Sequence, residues 1–220
     1  MRIYPLERFP ISGFAGIRER VLIQDRQYFA QLLPEEPLNG FGPLVYLASA
    51  WFLPKGSTGL HHHQQVDIVS VLPRGSMLHQ GSIGHNEVLQ AGEIQIQRSG
   101  EEGFSHNEIN PHTQPQPFIQ LWLAPIAQQR ASYERVTIHP QGITVVESRE
   151  NFELGLGHLP PGGCWELPAS GLLFLLQGEA TINSAAQVKK PQRGGLLRTP
   201  ETALITADAS LQFLYALLKK

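Results

Sequence analysis

Gly59-Leu60-His61-His62-His63-Gln64-Gln65-Val66-Asp67-Ile68-Val69-Ser70-Val71-Leu72 is the stretch that decides how the rest of the chain reads. Its second half is β-branched and partly alternating, and Pro73-Arg74-Gly75 turns it, which makes it a strand closed by a turn. In an extended segment residues two apart share a face, so His61 and His63 project together while His62 points to the other side. A second pair with the same spacing, His106 and Glu108 in Ser105-His106-Asn107-Glu108, starts a later strand after the turn from Gly100 to Gly103. If the two strands face one another inside a barrel, three imidazoles and one carboxylate converge. That combination suits a divalent first-row metal. Each pair also lies near a glycine, where two chains can approach closely.

Working outward, the strand signals are regular on both sides. Leu44 to Leu53 is a strand run stopped by Pro54-Lys55-Gly56. Ser76 to Gln80 and Glu87 to Gln90 bracket a hairpin connection, and Ile94-Gln95-Ile96-Gln97-Arg98 alternates as a strand with one buried face does. Phe118 to Leu123 closes the set before Pro125. Upstream, Val21-Leu22-Ile23 reads as a strand and Gln27 to Leu33 as a short helix. Downstream, the Gln/Ala-rich run from Ile126 to Tyr133 predicts a helical connector. A second strand-rich block follows, with runs at Ile143 to Val146, Phe152 to Leu156, Gly171 to Gly178, Ala180 to Ile182, Leu196-Leu197 and Leu211 to Leu217. The 21 glycines and 17 prolines are scattered between these runs as turn punctuation. The expected fold class is all-β, with two β units of related design split near residues 130–140.

The 220 residues carry a formal net charge of only -2, so no general electrostatic pull toward nucleic acid exists. The most basic stretch, Lys189-Lys190 with Arg193, reads as a solvated loop. A single cysteine excludes an intrachain disulfide and agrees with a reducing setting. The first residues lack the apolar region of a secretory signal, and the longest apolar run, Leu172 to Leu176, is too short to span a bilayer. The expectation is a cytoplasmic protein with no direct nucleic-acid partner and no membrane partner. A closed structural zinc site is disfavoured, because such sites use thiolates and a chain of this size builds a core without metal. Three His and one Glu leave positions open for water, dioxygen or a substrate oxygen. Of the other candidates, His79, His85 and His112 read as solvated loop or hairpin residues, Cys164 as a packed residue, and Trp51 and Trp122 as core aromatics of the first barrel.

The segment from Gly59 to Asp67, then Gly75, Ala91-Gly92-Glu93-Ile94-Gln95-Ile96 and His106-Asn107-Glu108, resembles the two cupin motifs in the form pirins carry. Phe118 to Pro125 is similar to the strand that follows in pirins, and the good match covers about residues 42–125. The resemblance implies two cupin-type barrels (double-stranded β-helix, jelly-roll): residues 1–135 as a metal-binding barrel and 136–220 as a degenerate one without metal ligands. It implies His61, His63, His106 and Glu108 as ligands of one divalent ion, most readily Fe2+, although Mn, Ni, Cu, Co and Zn suit the same set. Asp67 stands where most other cupins carry a carboxylate ligand. Pirins take theirs from the second motif, so Glu108 is the expected ligand and Asp67 an acceptor that holds a His tautomer. The activity implied is that of a quercetin (flavonol) 2,3-dioxygenase using dioxygen, with Glu108 catalytic as ligand and local base. The alternative is a non-enzymatic, redox-sensing regulator that binds a partner protein. A third reading, an isomerase or small-molecule binder, would show an aromatic-poor, polar pocket.

Overall fold

The computed structural model describes residues 1–29, 37–168, 170–185, 187–191 and 193–219. The helix expected over Gln27 to Leu33 therefore lies partly outside the described residues. The chain divides into two compact units, one formed by Phe9–Thr137 and the other by Ile138–Lys220 together with Met1–Arg8. The strand β1 (Arg2–Tyr4), at the very start of the chain, thus belongs to the C-terminal unit, where it pairs with a strand near residue 197.

The N-terminal unit contains β2 (Ile17–Gln24), β3 (Leu44–Phe52), β4 (His61–His63), β5 (Asp67–Val71), β6 (Ser76–Gly81), β7 (Glu87–Gln90), β8 (Glu93–Arg98), β9 (Phe104–Ile109), β10 (Gln116–Leu123) and β11 (Ser132–Thr137). They form an antiparallel sheet in the order β11-β8-β5-β10-β3-β2 and a second in the order β4-β9-β6-β7. Between the sheets lies an apolar cluster of Ile17, Ala50, Phe52, Leu72, Met77, Leu89 and Phe118. Phe52 and Phe118 stack at 4.4 Å, an offset arrangement that adds about 0.5–1.5 kcal/mol beyond area burial. Gly75 makes the turn between β5 and β6 at φ 73°, a left-handed conformation open to glycine, and a side chain there would meet Gln116.

The C-terminal unit repeats the plan with β12 (Gly142–Arg149), β13 (Phe152–Leu159), β14 (Cys164–Leu167), β15 (Gly171–Gln177), β16 (Ala180–Ser184), β17 (Val188–Lys189), β18 (Leu196–Thr199), β19 (Ala203–Ala207) and β20 (Leu211–Leu218). Its sheets run β1-β18-β15-β20-β13-β12 and β14-β19-β16-β17, strand for strand the order found in the first unit. The fold is all-β, built from two such sandwiches.

One expectation fails here. Residues 126–133 do not make a helical connector; a turn leads into β11, whose Tyr133, Val136 and Thr137 pair along β8. β-branched and aromatic residues at this edge favour pairing over a helix, despite the Gln/Ala content just before them. Among the described residues no helix is long and apolar enough to cross a membrane.

Candidate metal centre

β4 and β9 run antiparallel, with His61 opposite His106 and His63 opposite Phe104. Gly103 immediately precedes β9 at φ 73°, and a side chain there would lie 2.5 Å from the His63 carbonyl oxygen. Glycine is therefore what lets β9 close on β4. The loop before β4 is also stitched to β9: the Thr58 amide donates to the Glu108 carbonyl, and the Glu108 amide donates to the Thr58 hydroxyl, both at 3.0 Å. These contacts set the register that turns two i, i+2 pairs toward one point.

Ligand nitrogens of His61, His63 and His106 lie within 4.8 Å of one another. His61 Nε2 and His106 Nε2 are 3.1 Å apart. Two ligands each about 2.1 Å from a common ion, at near a right angle, span about that distance. The far nitrogens decide what meets across that gap. His61 Nδ1 sits 2.8 Å from the Gly59 carbonyl oxygen, and His106 Nδ1 sits 3.1 Å from Gln97 Oε1. Both partners accept, so both Nδ1 atoms carry the proton and both Nε2 atoms present lone pairs to the same space. Burial and the neighbouring imidazoles push His63 down to about 3 and His106 down to about 2. Protons therefore do not compete for the ring nitrogens of His63 and His106 near neutral pH. The residues fit a divalent cation.

Glu108, on the same face of β9 as His106, is fully buried. Its Oε1 accepts from Ser70 Oγ and Gln95 Nε2, and its Oε2 accepts from Gln120 Nε2. Burial raises its carboxyl to about 7 despite those three hydrogen bonds. A cation nearby would supply the charge the buried carboxylate lacks. A cavity of about 210 Å³ opens beside it, lined by His61, His63 and Glu108 and walled by Phe14, Tyr46, Phe118 and Trp122.

Residues 39–123 match the Pirin family model. This segment is a pirin domain. A bacterial pirin from Escherichia coli, YhhW, whose structure was solved in complex with nickel(II), superposes with a TM-score of 0.80 over 99% of both chains at 20% identity. A quercetin 2,3-dioxygenase from Acinetobacter baumannii superposes with a TM-score of 0.72 over 99% of this chain and 78% of its own, at 17% identity. Both likenesses establish the cupin fold of pirins for the whole chain. In sequence, the quercetin 2,3-dioxygenase of Escherichia coli K12 is 37% identical over 68 residues, 30% of this chain and 29% of that one. A Mycobacterium tuberculosis protein provisionally named a quercetin 2,3-dioxygenase is 27% identical over 173 residues, covering 70% of this chain. The match spans 64% of that relative, less than two thirds of its length.

In the pirin domain the structure brings His61, His63 and His106 into one cluster, with Glu108 on the wall of the adjoining cavity. His62 faces outward, its Nδ1 3.3 Å from Ser105 Oγ. Asp67 does not have the role assigned to it. Its side chain is buried against Arg98 at 3.2 Å and accepts from the Ser99 amide, while Gln97 orients His106. His79 is not solvated. It is fully buried, with Nε2 2.8 Å from the same Gln97 Oε1, because β6 turns it inward on the face that buries Met77. Trp122 is a cavity wall rather than a core residue; it lies 4.8 Å from Tyr46 and edge-on to His63 at 5.1 Å. Nor is β8 polar on a solvent face. Gln95 and Gln97 are both fully buried and serve Glu108 and His106.

The C-terminal unit shows the same strand positions without the histidine cluster. Where β4 turns His61 and His63 inward, β14 turns Trp165 and Leu167 into an apolar cluster with Ile205, Phe213 and Tyr215. Cys164 on that strand is exposed, not packed, since its parity is opposite to that of Trp165.

Proposed function

We propose that the pirin domain is a metal-dependent dioxygenase acting on flavonol-type substrates such as quercetin, with iron held by His61, His63, His106 and Glu108. The observation that carries this reading is the pair of Nε2 lone pairs 3.1 Å apart, each fixed by the hydrogen bond on its far nitrogen. Two such lone pairs repel one another, and a cation between them reverses the sign of the interaction. When bound, the ion supplies open coordination positions for Lewis-acid and oxygen chemistry.

The chain's own residues do the remaining tasks. Glu108, a buried carboxylate on the cavity wall, is placed to take a substrate hydroxyl proton. Its Oε2, which accepts from Gln120 alone, has more acceptor capacity left than Oε1 and is the oxygen suited to that proton. Phe118, Trp122 and Tyr46 offer flat faces to a ring and keep water from the site. This aromatic lining favours a flat ring over the polar ligand expected of an isomerase or small-molecule binder. A cavity of about 210 Å³ encloses about one ring of a flavonol, with the rest at the mouth beside the half-exposed Phe14.

The test is oxygen uptake with quercetin by iron-loaded protein, against His63→Ala. Turnover well above that control supports the proposal. No uptake above the control overturns it, and then a change in partner-protein capture on metal oxidation would favour the regulator.

A further inference from the structure

The candidate metal ligands all come from the β4-β9-β6-β7 sheet. The opposite sheet adds a carboxylate that the metal centre does not use. Glu19, on β2, lines the same cavity as His61, His63 and Glu108. It stands between Ile17 and Val21, both buried, on the inward parity of its strand. Its Oε2 accepts a hydrogen bond from Tyr46 Oη at 2.7 Å. Among the described residues this is the single side-chain hydrogen bond Glu19 makes. Tyr46 is in turn fixed by its ring contact with Trp122 at 4.8 Å.

A carboxylate in an aromatic-walled cavity is costly unless its acceptor sites are filled. Here one oxygen is held by the Tyr46 phenol, and the side chain lines the space a ligand would occupy. Such a pair recognises a hydrogen-bond donor, and a ligand hydroxyl is the neutral donor a flat oxygenated ring can offer. We propose that Glu19, positioned by Tyr46, is a specificity-determining residue: the enclosed ring carries adjacent hydroxyl and keto oxygens at its metal-facing end and a second hydroxyl directed to Glu19. This rests on the reading of the cavity as a substrate site beside a metal.

The ligand class is therefore a hydroxy-ketone ring with a distal hydroxyl, and the cavity volume allows a single-ring probe. Kojic acid and allomaltol are matched for this purpose. They share one hydroxy-pyranone ring and differ in a distal hydroxymethyl group against a methyl group. Calorimetry on nickel-loaded protein, dialysed free of excess metal, should show kojic acid binding about tenfold more tightly than allomaltol, the scale of one hydrogen bond to a charged acceptor. In Glu19→Leu the preference should fall to within about twofold, with allomaltol affinity little changed. In Tyr46→Phe it should shrink in part, because Glu19 loses the group that fixes it.

Equal binding of the two probes by the wild type overturns the assignment of Glu19 while leaving the metal-site reading intact. So does a preference that survives in Glu19→Leu. Failure of the wild type to bind either probe overturns both, since no hydroxy-ketone then reaches the metal. The wild-type comparison needs no variant, so poor folding of Glu19→Leu would not shield the proposal.

Discussion

Gln97 is the residue on which the orientation of the centre depends, and Gln97→Met isolates its contribution. The side chains are close in volume, so the substitution removes hydrogen bonding with little change in packing. It takes the acceptor from His106 Nδ1, a buried donor, and the neighbouring oxygen from His79 Nε2, whose ring already donates from Nδ1 to the Gly84 carbonyl. The donor left unpaired costs about 1–3 kcal/mol. Against that, Gln97 Nε2 is itself buried without a partner, and removing it returns about 1–3 kcal/mol. The two effects offset, so the metal-free protein should change by no more than about 1 kcal/mol in denaturant unfolding. Metal affinity should fall by about 10–100-fold, because His106 is no longer held in the tautomer that presents Nε2. Chelator competition measures the affinity, and urea unfolding with and without metal separates it from stability. If the affinity stays within about twofold, Gln97 is a packing residue and the argument from tautomers is wrong.

Two further perturbations follow from the same geometry. Glu108 is raised from an ordinary carboxyl value of 4.5 to about 7, so in the metal-free protein its native form binds the proton more tightly than its unfolded form. Its contribution is fully present below pH 4.5 and is lost as pH rises through 7. The stability difference between wild type and Glu108→Gln should move by about 3 kcal/mol against the wild type across that window, read from urea unfolding at several pH values. A flat difference would mean that Glu108 is not desolvated in solution. Arg98→Met removes the Arg98 ion pair from the buried Asp67 carboxylate, to which the Ser99 amide still donates. It should cost about 3 kcal/mol in the same assay without changing metal affinity at full folding.

The period-two logic of strands made the convergence of His61, His63 and His106 legible, with Glu108 on the same face as His106, because a residue pair on one face needs only local sequence to be seen. The residues that hold them were less visible, since their burial depends on a second sheet covering the face. Gln95 and Gln97 alternate with Ile94 and Ile96, and a strand of that pattern ordinarily has one wet side. Here both sides are covered, so the polar side is the inside of the barrel. His79 did leave a signal. It shares parity with Met77, the buried residue of its strand. Glu19 left the same kind of trace, a carboxylate in register with Ile17 and Val21, masked by the flanking Arg18 and Arg20. The strand β11 was hidden by composition, because the Gln/Ala run ahead of it favours helix while pairing with β8 decides its conformation. The C-terminal unit was legible as a second β unit of related design. That the two units share one strand order is a feature of the structure, which no fixed repeat in the sequence expresses.

X-ray absorption at the metal edge, on protein purified without added metal or affinity chelators, tests the metal centre most directly. The account predicts a single-ion first shell of about three imidazole nitrogens and one or more oxygens near 2.0–2.2 Å, with the imidazole scattering diminished and the metal largely absent in His106→Ala. A shell of oxygens alone, or a metal content unaffected by His106→Ala, would contradict it.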